Sequence, residues 1–173
     1  GENAGATWSP QNDDGKFDGV VSMRDSLAHS KNVPTVRLLR AVTVPYAHEY
    51  LGRFGFDHRR HPRNLTLALG TGAVTPLQLA GAYAVFANGG YSVQPYLIAK
   101  IEDGSGAVIS ETARPATPPE NLRVLDERNA FVVDSMLRAV TTYGTGAAAS
   151  IRLSRTDIAG KTGTTSDAID GWF

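Results

Sequence analysis

The most definite folding signal in this chain of 173 residues lies at residues 75–78, Thr-Pro-Leu-Gln. Threonine is a good helix N-cap, proline fits the first helical turn, and glutamine three residues after the cap completes a capping box. The pattern predicts a helix that starts after Thr75, continues through residues 79–87 and ends at residues 88–90, Asn-Gly-Gly. Its small residues predict close packing in the interior: Ala80, Gly81, Ala82, Ala84 and Ala87.

Two more helices are predicted in the first third of the chain. Ser22 is a suitable N-cap with Asp25 three residues later, which opens a short helix toward His29. Residues 33–34, Val-Pro, start a second helix, with Asn32 at the junction. The apolar residues on one side of this second helix are expected to face the core: Val36, Leu38, Leu39 and Val42.

Further helices are predicted on either side of the middle of the chain. Pro45 suits the first position of a helix for which Gly55 is a natural stop. Asp126 caps a later helix that is expected to end within residues 141–150. The predicted core face of that helix consists of Phe131, Val132, Met136, Leu137 and Val140.

Two segments have the character of strands. Residues 96–110 place alternating apolar positions on either side of a Gly-Ser-Gly turn, which predicts a β-hairpin, and a proline-rich connector follows at residues 111–121. Residues 156–165 combine β-branched and small residues with glycines, which is typical of a strand that another group approaches closely. Helices and strands do not alternate regularly, so the predicted fold class is α/β of the mixed α+β kind.

Composition excludes several classes of function. Seventeen basic residues balance seventeen acidic ones, so the chain has no overall charge suited to nucleic acid. The absence of cysteine removes disulfides, thiolate catalysis and cysteine-based zinc sites. The four histidines lack a metal-binding spacing, and no apolar run reaches the length of a membrane span. We therefore expect no metal, no cofactor and no nucleic-acid partner.

Residues 160–162, Gly-Lys-Thr, allow two interpretations. In a phosphate-binding loop, another glycine stands five residues before this one and a helix follows the lysine. Here Arg155 occupies that glycine position, and Gly163 with β-branched Thr164 and Thr165 follows immediately. Arginine cannot replace a glycine that is needed for its backbone angles, so the phosphate-binding interpretation is disfavoured.

The second interpretation is the strand motif of penicillin-recognising serine enzymes, which combine S-x-x-K, S-x-N and K-T-G. Residues 30–32, Ser-Lys-Asn, supply an S-x-N, and residues 161–163 supply the K-T-G. Both matches have simpler explanations when each is taken alone. Helix capping would account for Ser30 and Asn32, and Lys161 would suit a solvated strand edge.

Three long segments strengthen the second interpretation. Residues 8–39, 64–98 and 143–173 closely resemble the transpeptidase domain of class A penicillin-binding proteins, the bifunctional enzymes of bacterial cell-wall synthesis. The resemblance covers nearly the whole chain, in family order. It implies the fold shared by penicillin-binding proteins and serine β-lactamases, an antiparallel sheet flanked by helices, here incomplete at both ends.

The chain departs from the family pattern in one respect: no serine is followed by lysine three residues later. In the family, that nucleophile motif precedes the stretch that matches residue 1. Residues 1–173 are thus expected to be the C-terminal two-thirds of a transpeptidase domain. The nucleophile, a glycosyltransferase domain and a membrane anchor are expected elsewhere in the same polypeptide, at the periplasmic face of the bacterial inner membrane.

The resemblance implies acyl transfer on peptidoglycan. A serine attacks the carbonyl between two terminal D-alanines of a stem peptide, and an amine of a neighbouring stem then resolves the acyl-enzyme. β-Lactams would mimic the D-Ala-D-Ala end. The alternatives are a non-catalytic β-lactam sensor and a hydrolase, either a carboxypeptidase or a β-lactamase. The isolated chain is expected to be inactive.

The same resemblance assigns roles to residues of this chain. Ser30, Asn32 and Lys161 are expected to be catalytic. Ser30 relays a proton to the leaving amine, Asn32 donates its amide to a substrate carbonyl and accepts a bond from the catalytic lysine of the S-x-x-K motif, and Lys161 attracts the substrate carboxylate. The expected substrate-binding residues are Thr162, Gly163, Thr164 and Thr165, and the Thr164 N–H serves as half of the oxyanion hole. Lys31 is expected to face solvent, and residues 144–146, Gly-Thr-Gly, to form a turn leading toward the strand.

Overall fold

Helices and two small antiparallel sheets make up the regular structure of the computed structural model, which describes residues 8–113, 118–165 and 170–173. The α-helices are α1 (Met23–Ala28), α2 (Asn32–Val42), α3 (Val44–Tyr50), α4 (Pro76–Ala87), α5 (Glu127–Thr142) and α6 (Ala147–Leu153). The strands are β1 (Lys100–Glu102), β2 (Val108–Glu111), β3 (Gly163–Thr164) and β4 (Gly171–Trp172). Short 3-10 helices occupy Leu51–Phe54, His58–Arg60, Leu65–Leu69 and Glu120–Leu122. The predicted mixed class is confirmed.

The predicted helix caps are present. The Ser22 hydroxyl accepts a hydrogen bond from the Asp25 N–H at the start of α1. At α4 both halves of the capping box form, because Thr75 Oγ1 accepts from the Gln78 N–H and Gln78 Oε1 accepts from the Thr75 N–H. The Asp126 carboxylate caps α5. Each cap satisfies N–H groups that have no partner inside the helix.

Helix boundaries elsewhere follow the predictions less closely. Pro45 lies in the first turn of α3, and the chain leaves the following 3-10 helix at Gly55, whose φ of 87° is left-handed. Asn32, predicted at the junction, is instead the first residue of α2. The sequence prediction missed α6, a second helix that begins five residues after α5 ends. Among the residues that the structure describes, no helix is both long and apolar enough to cross a membrane.

The core is organised around α5, which packs against α1, α4 and α6. Phe131 and Val132 were predicted to face this core, but they are 73% and 50% exposed. Successive helical residues are turned by about 100°, so these two side chains lie off the buried face. The side chains that α5 buries are Ala130, Leu137, Ala139, Val140 and Thr141.

The same correction applies to α2 and α4. In α2, Leu38 and Val42 are exposed although they were predicted to face the core. In α4, the small residues do not all pack in the interior, since Ala80 and Ala87 are exposed. Each helix buries a narrow stripe, consistent with a helix that has one side toward solvent. The buried residues of these two helices are Val36, Leu39, Ala82 and Val85.

The predicted hairpin is confirmed as β1 and β2, which pair antiparallel with Ile101 opposite Ser110. Asp103 closes the turn by accepting hydrogen bonds from the N–H groups of Ser105 and Ala107. Both strands are exposed throughout. Part of the predicted connector, residues 114–117, lies outside the described residues.

The predicted strand at residues 156–165 is much shorter than expected. Within the described residues, the paired part of this segment is Gly163–Thr164, which pairs with Gly171–Trp172. The preceding residues bind α5 instead, because the Thr141 hydroxyl donates to the Ile158 carbonyl at 2.5 Å. The Gly160 N–H likewise donates to the Leu137 carbonyl, at 3.4 Å. These contacts hold the segment that leads to Lys161 against α5, the central helix of the core.

Candidate active site

Ser30 lies in the turn that ends α1 and has a left-handed backbone, with φ 53°. Its N–H donates to the Leu27 carbonyl, and the N–H of Lys31 donates to the Ser26 carbonyl. This pair of bonds is the Schellman motif, in which the left-handed position is usually glycine. A serine in this conformation is strained, and such strain is frequent at functional sites.

Asn32, two residues later, is held by the loop that precedes α1. Its Nδ2 donates to the Gln11 carbonyl and to Asp13 Oδ1, both at 3.0 Å. Buried Asn12 supports the same junction by accepting a hydrogen bond from the Val33 N–H. The loop therefore fixes the Asn32 amide next to the turn that carries Ser30.

Lys161 reaches Ser30 from the other end of the chain. Lys161 Nζ donates to Ser30 Oγ and to the Thr162 carbonyl, each at 2.8 Å. The lysine is half-buried, and burial lowers its pKa, while the negative charge of Asp13 acts in the opposite direction. Within the described residues, hydrogen bonds join Lys161 to Ser30 but not to Asn32.

This pair of groups is suited to proton transfer beside an anion. A hydroxyl donates and accepts at once, so Ser30 can receive a proton from Lys161 while it passes its own proton to a third group. A lowered pKa brings a lysine closer to the range in which it exchanges protons near neutral pH. Its positive charge, when present, attracts a carboxylate.

Lys31, the middle residue of the S-x-N triplet, does not face solvent as predicted. Its Nζ forms ion pairs with Asp14 at 2.7 Å and Asp18 at 2.6 Å, and its side chain is only 13% exposed. The hydrogen bond with Asp14 is the largest cause that raises the pKa of Lys31, followed by that with Asp18. Lys31 is therefore a fixed cation that anchors the loop, and it is separate from the pair formed by Ser30 and Lys161.

The four predicted substrate-binding residues follow Lys161 in a row but have different surroundings. Gly163 and Thr164 are exposed on β3, and in the described part of the chain β3 pairs only with β4. The Thr165 hydroxyl accepts a hydrogen bond from the Asp170 N–H at 2.8 Å. The Thr162 hydroxyl lies 2.5 Å from that of Thr145.

One residue at the site was missed in the sequence, and a second was assigned only a backbone role. Asp13 accepts a hydrogen bond from Asn32, and its negative charge acts to raise the pKa of Lys161. No sequence motif marked this residue. Thr145 contacts Thr162, and its only signal was the Gly-Thr-Gly triplet at residues 144–146. That triplet forms a turn, as predicted, and α6 lies between this turn and the strand.

The phosphate-binding interpretation gains no support from the structure. Residues 160–162 lead into β3 and not into a helix. Arg155, at the position of the missing glycine, forms an ion pair with Asp157 at 2.7 Å. In the described ranges no group of three or more histidine, aspartate or glutamate residues is arranged to hold a metal ion.

The chain is similar to several known penicillin-binding proteins. Penicillin-binding protein 1A of Neisseria lactamica is 44% identical over 170 residues, which is 98% of this chain and 21% of that protein. The crystal structure of penicillin-binding protein 1A from Haemophilus influenzae is 30% identical with a TM-score of 0.83, over 95% of this chain and 29% of that one. Penicillin-binding protein 3 from Mycobacterium tuberculosis, complexed with aztreonam, is 26% identical with a TM-score of 0.66, over 83% of this chain and 37% of that one.

The chain thus spans about a fifth of the length of the curated relative to which it is similar. Residues 2–171 match the family described as the penicillin-binding protein transpeptidase domain. That match includes the S-x-N triplet and the K-T-G triplet, which the fold brings together through Ser30 and Lys161. The chain therefore belongs to the penicillin-binding protein transpeptidase domain family.

Proposed function

We propose that this chain is part of a peptidoglycan D,D-transpeptidase, which cross-links stem peptides that end in D-Ala-D-Ala. The observation that carries the proposal is the hydrogen bond from Lys161 Nζ to Ser30 Oγ at 2.8 Å. It joins the two motifs that the family uses for acyl transfer and leaves a half-buried lysine of lowered pKa beside a hydroxyl. Family membership supports the same conclusion.

In the proposed reaction, a serine from another part of the polypeptide attacks the carbonyl of the D-Ala-D-Ala bond. A bond forms between that serine oxygen and the carbonyl carbon, the carbon–nitrogen bond breaks, and the leaving D-alanine takes up a proton. The proton of the attacking serine passes to the lysine of the S-x-x-K motif, while Ser30 Oγ supplies the proton of the leaving amine and is reprotonated by Lys161. The amine of a second stem peptide then attacks the acyl group, and the carbon–oxygen bond breaks. The S-x-x-K lysine returns a proton to the serine, and the proton lost by the amine restores Lys161.

The remaining residues hold the substrate. Lys161 attracts the terminal carboxylate, and the Thr162 and Thr164 hydroxyls donate to it. The exposed edge of β3 accepts the peptide as an additional strand, for which Gly163 leaves room. The Thr164 N–H donates to the oxyanion that forms on the scissile carbonyl.

Asn32 accepts a bond from the lysine of the S-x-x-K motif through its amide oxygen. To donate to a carbonyl of the same peptide, it exchanges one of its two N–H bonds, which are made to Gln11 and Asp13 in this structure. Thr165 is the last residue of the proposed substrate-binding row.

The proposal extends to the whole polypeptide. We infer a serine nucleophile, β-lactams as inhibitors, an accompanying glycosyltransferase domain, and a location at the extracytoplasmic face of the bacterial inner membrane. The similarity to a penicillin-binding protein complexed with aztreonam supports β-lactam binding. The similarity to penicillin-binding protein 1A over about a fifth of its length supports further domains.

The decisive experiment incubates the full-length protein with a fluorescent penicillin and, separately, with stem peptides that end in D-Ala-D-Ala. We expect a labelled band that survives denaturation, and cross-linked dimers by mass spectrometry. Hydrolysed monomers alone would identify a hydrolase, labelling without any peptide turnover would identify a sensor, and an unlabelled protein would contradict the proposal.

A second experiment uses the 173-residue chain by itself. No serine in it has a lysine three residues later, so we expect no covalent penicillin adduct. Circular dichroism should first establish that the chain is helical in solution. A covalent adduct on a folded chain would show that the nucleophile lies within these residues.

A further inference from the structure

The turn at residues 144–146 touches both halves of the candidate site. The Thr145 N–H donates to the Ala28 carbonyl at 2.9 Å, two residues before Ser30. The Thr145 hydroxyl lies 2.5 Å from that of Thr162, the residue that follows Lys161. One threonine therefore binds the segment that carries Ser30 through its backbone and the segment that carries Lys161 through its side chain.

The position of this turn is tightly fixed. A β-carbon on Gly144 would lie 2.1 Å from the Ala28 carbonyl oxygen, so only glycine permits the approach. On the far side, the Gly146 N–H donates to the Val140 carbonyl at 3.0 Å. Because α1 and α5 hold the turn from two directions, the backbone of Thr145 is fixed in a position from which its hydroxyl reaches that of Thr162.

The contact between the two hydroxyls has a directional consequence. A threonine hydroxyl has one proton to donate and two lone pairs. If Thr145 donates to Thr162 Oγ1, the single proton of Thr162 remains free for another acceptor. A chain of such bonds polarises each member, which strengthens the terminal bond to an anion.

We propose that Thr145 is a positioning residue that directs the Thr162 hydroxyl toward the carboxylate of the substrate. The inference rests on the proposed function, in which Thr162 donates to that carboxylate. Thr145 itself does not touch the substrate. Its contribution depends on the negative charge of the ligand, which distinguishes it from a residue that only stabilises the turn.

The test measures the acylation rate constant of the full-length protein with benzylpenicillin and with its methyl ester, which lacks the charge. We expect Thr145→Val to lower the rate constant of acylation by benzylpenicillin by about fivefold or more and to leave that by the ester unchanged. The reason is that hydrogen bonds to charged groups are stronger than those to neutral groups. Thr145→Ser retains the hydroxyl and should keep both rates. Thr142→Val removes a hydroxyl at the end of α5 that donates to the Arg138 carbonyl within its own helix, and should change neither rate.

A double-mutant comparison gives an independent result with benzylpenicillin alone. If Thr145 acts through Thr162, adding Thr145→Val to Thr162→Val should slow acylation no further. An additive loss would overturn the inference, as would an equal loss for acid and ester. Thr145→Ala should show the same ratio of acylation rates for benzylpenicillin and its methyl ester as Thr145→Val. This ratio does not depend on the amount of folded protein.

The outcomes separate this inference from the function on which it rests. A wild-type protein that reacts with neither ligand overturns both. If the wild-type protein is acylated and the Thr145→Val variant reacts with benzylpenicillin at the wild-type rate, the role of Thr145 is overturned. The transpeptidase proposal remains intact in that case.

Discussion

Lys161 Nζ and Ser30 Oγ form a 2.8 Å hydrogen bond although 131 residues separate them in the chain. Both residues are in environments that are unusual for their residue type. Ser30 occupies the left-handed end of a helix where glycine is usual, and Lys161 has a pKa lowered by burial. The contact therefore brings a strained residue and a partly desolvated charge together, a combination typical of active sites.

The first prediction concerns the charge of Lys161. In the full-length protein, Lys161→Met should slow acylation by penicillin about a hundredfold or more, because proton transfer and carboxylate attraction are both lost. The measurement is the rate at which a fluorescent penicillin labels the protein. Lys16→Met is the matched control, since Lys16 is an exposed lysine in the loop that precedes α1. The labelling rate of this variant should equal that of wild type. Equal rates for wild type and Lys161→Met would remove Lys161 from the site.

The second prediction concerns stability as a function of pH. Burial lowers the pKa of Lys161 in the folded chain below the ordinary value of 10.5. Between the folded and unfolded pKa values the unfolded chain binds more protons, so the free energy of unfolding rises with pH in that interval. A Lys161→Met variant lacks this rise. Its stability relative to wild type should therefore fall as the pH increases toward 10.5.

Urea denaturation of both proteins at neutral and at alkaline pH would measure this trend. The Lys16→Met variant should follow wild type at both pH values. A relative stability of Lys161→Met that rose with pH would mean that the pKa of Lys161 is raised, and not lowered, by folding.

The third prediction separates strain from chemistry at Ser30. Ser30→Gly and Ser30→Ala both remove the hydroxyl, but only glycine accepts a φ of 53° without strain. We expect Ser30→Gly to be more stable than Ser30→Ala by about 0.5–1 kcal/mol, after the greater flexibility of glycine in the unfolded chain is subtracted. Both variants should lose acylation activity. Denaturation midpoints and penicillin labelling would measure the two effects, and an active Ser30→Gly variant would contradict the proton-relay role.

The fourth prediction concerns the close approach of α1 and the turn after α5. In Gly144→Ala the new β-carbon would meet the Ala28 carbonyl oxygen at 2.1 Å, so one backbone segment must move. We expect a loss of roughly 1–3 kcal/mol in the free energy of unfolding, together with slower acylation, because Ala28 lies two residues before Ser30. Gly104→Ala is the control, since nothing lies within 4 Å of its added carbon. A Gly144→Ala variant as stable as the control would show that α1 and the turn are free to separate.

Local structure was largely predictable from the sequence. The caps at Ser22, Thr75 and Asp126 use side chains that bind N–H groups two or three residues away, so neighbouring residues alone specify them. The β-hairpin was equally evident, because alternation and a glycine-containing turn are short-range signals. The motifs likewise identified Ser30, Asn32 and Lys161 as candidates before any fold was known.

Burial was less predictable. Phe131 and Val132 are apolar, yet the neighbours of α5 cover its other side. The segment before Lys161 has the composition of a strand, but its polar backbone groups bind Leu137 and Thr141 of the central helix. Elements distant in the chain determine which face of a helix is buried. They also determine which groups form hydrogen bonds with a given backbone segment.

The amino-acid sequence by itself determined the helix starts, the hairpin, and the residue types of the S-x-N and K-T-G triplets. Only the tertiary structure determined that Lys161 meets Ser30, that Lys31 turns to Asp14 and Asp18, and that Thr145 lies beside Thr162. The physical reason is range. Caps and turns act over two to four residues, whereas the contacts of the site join segments that packing around α5 brings together.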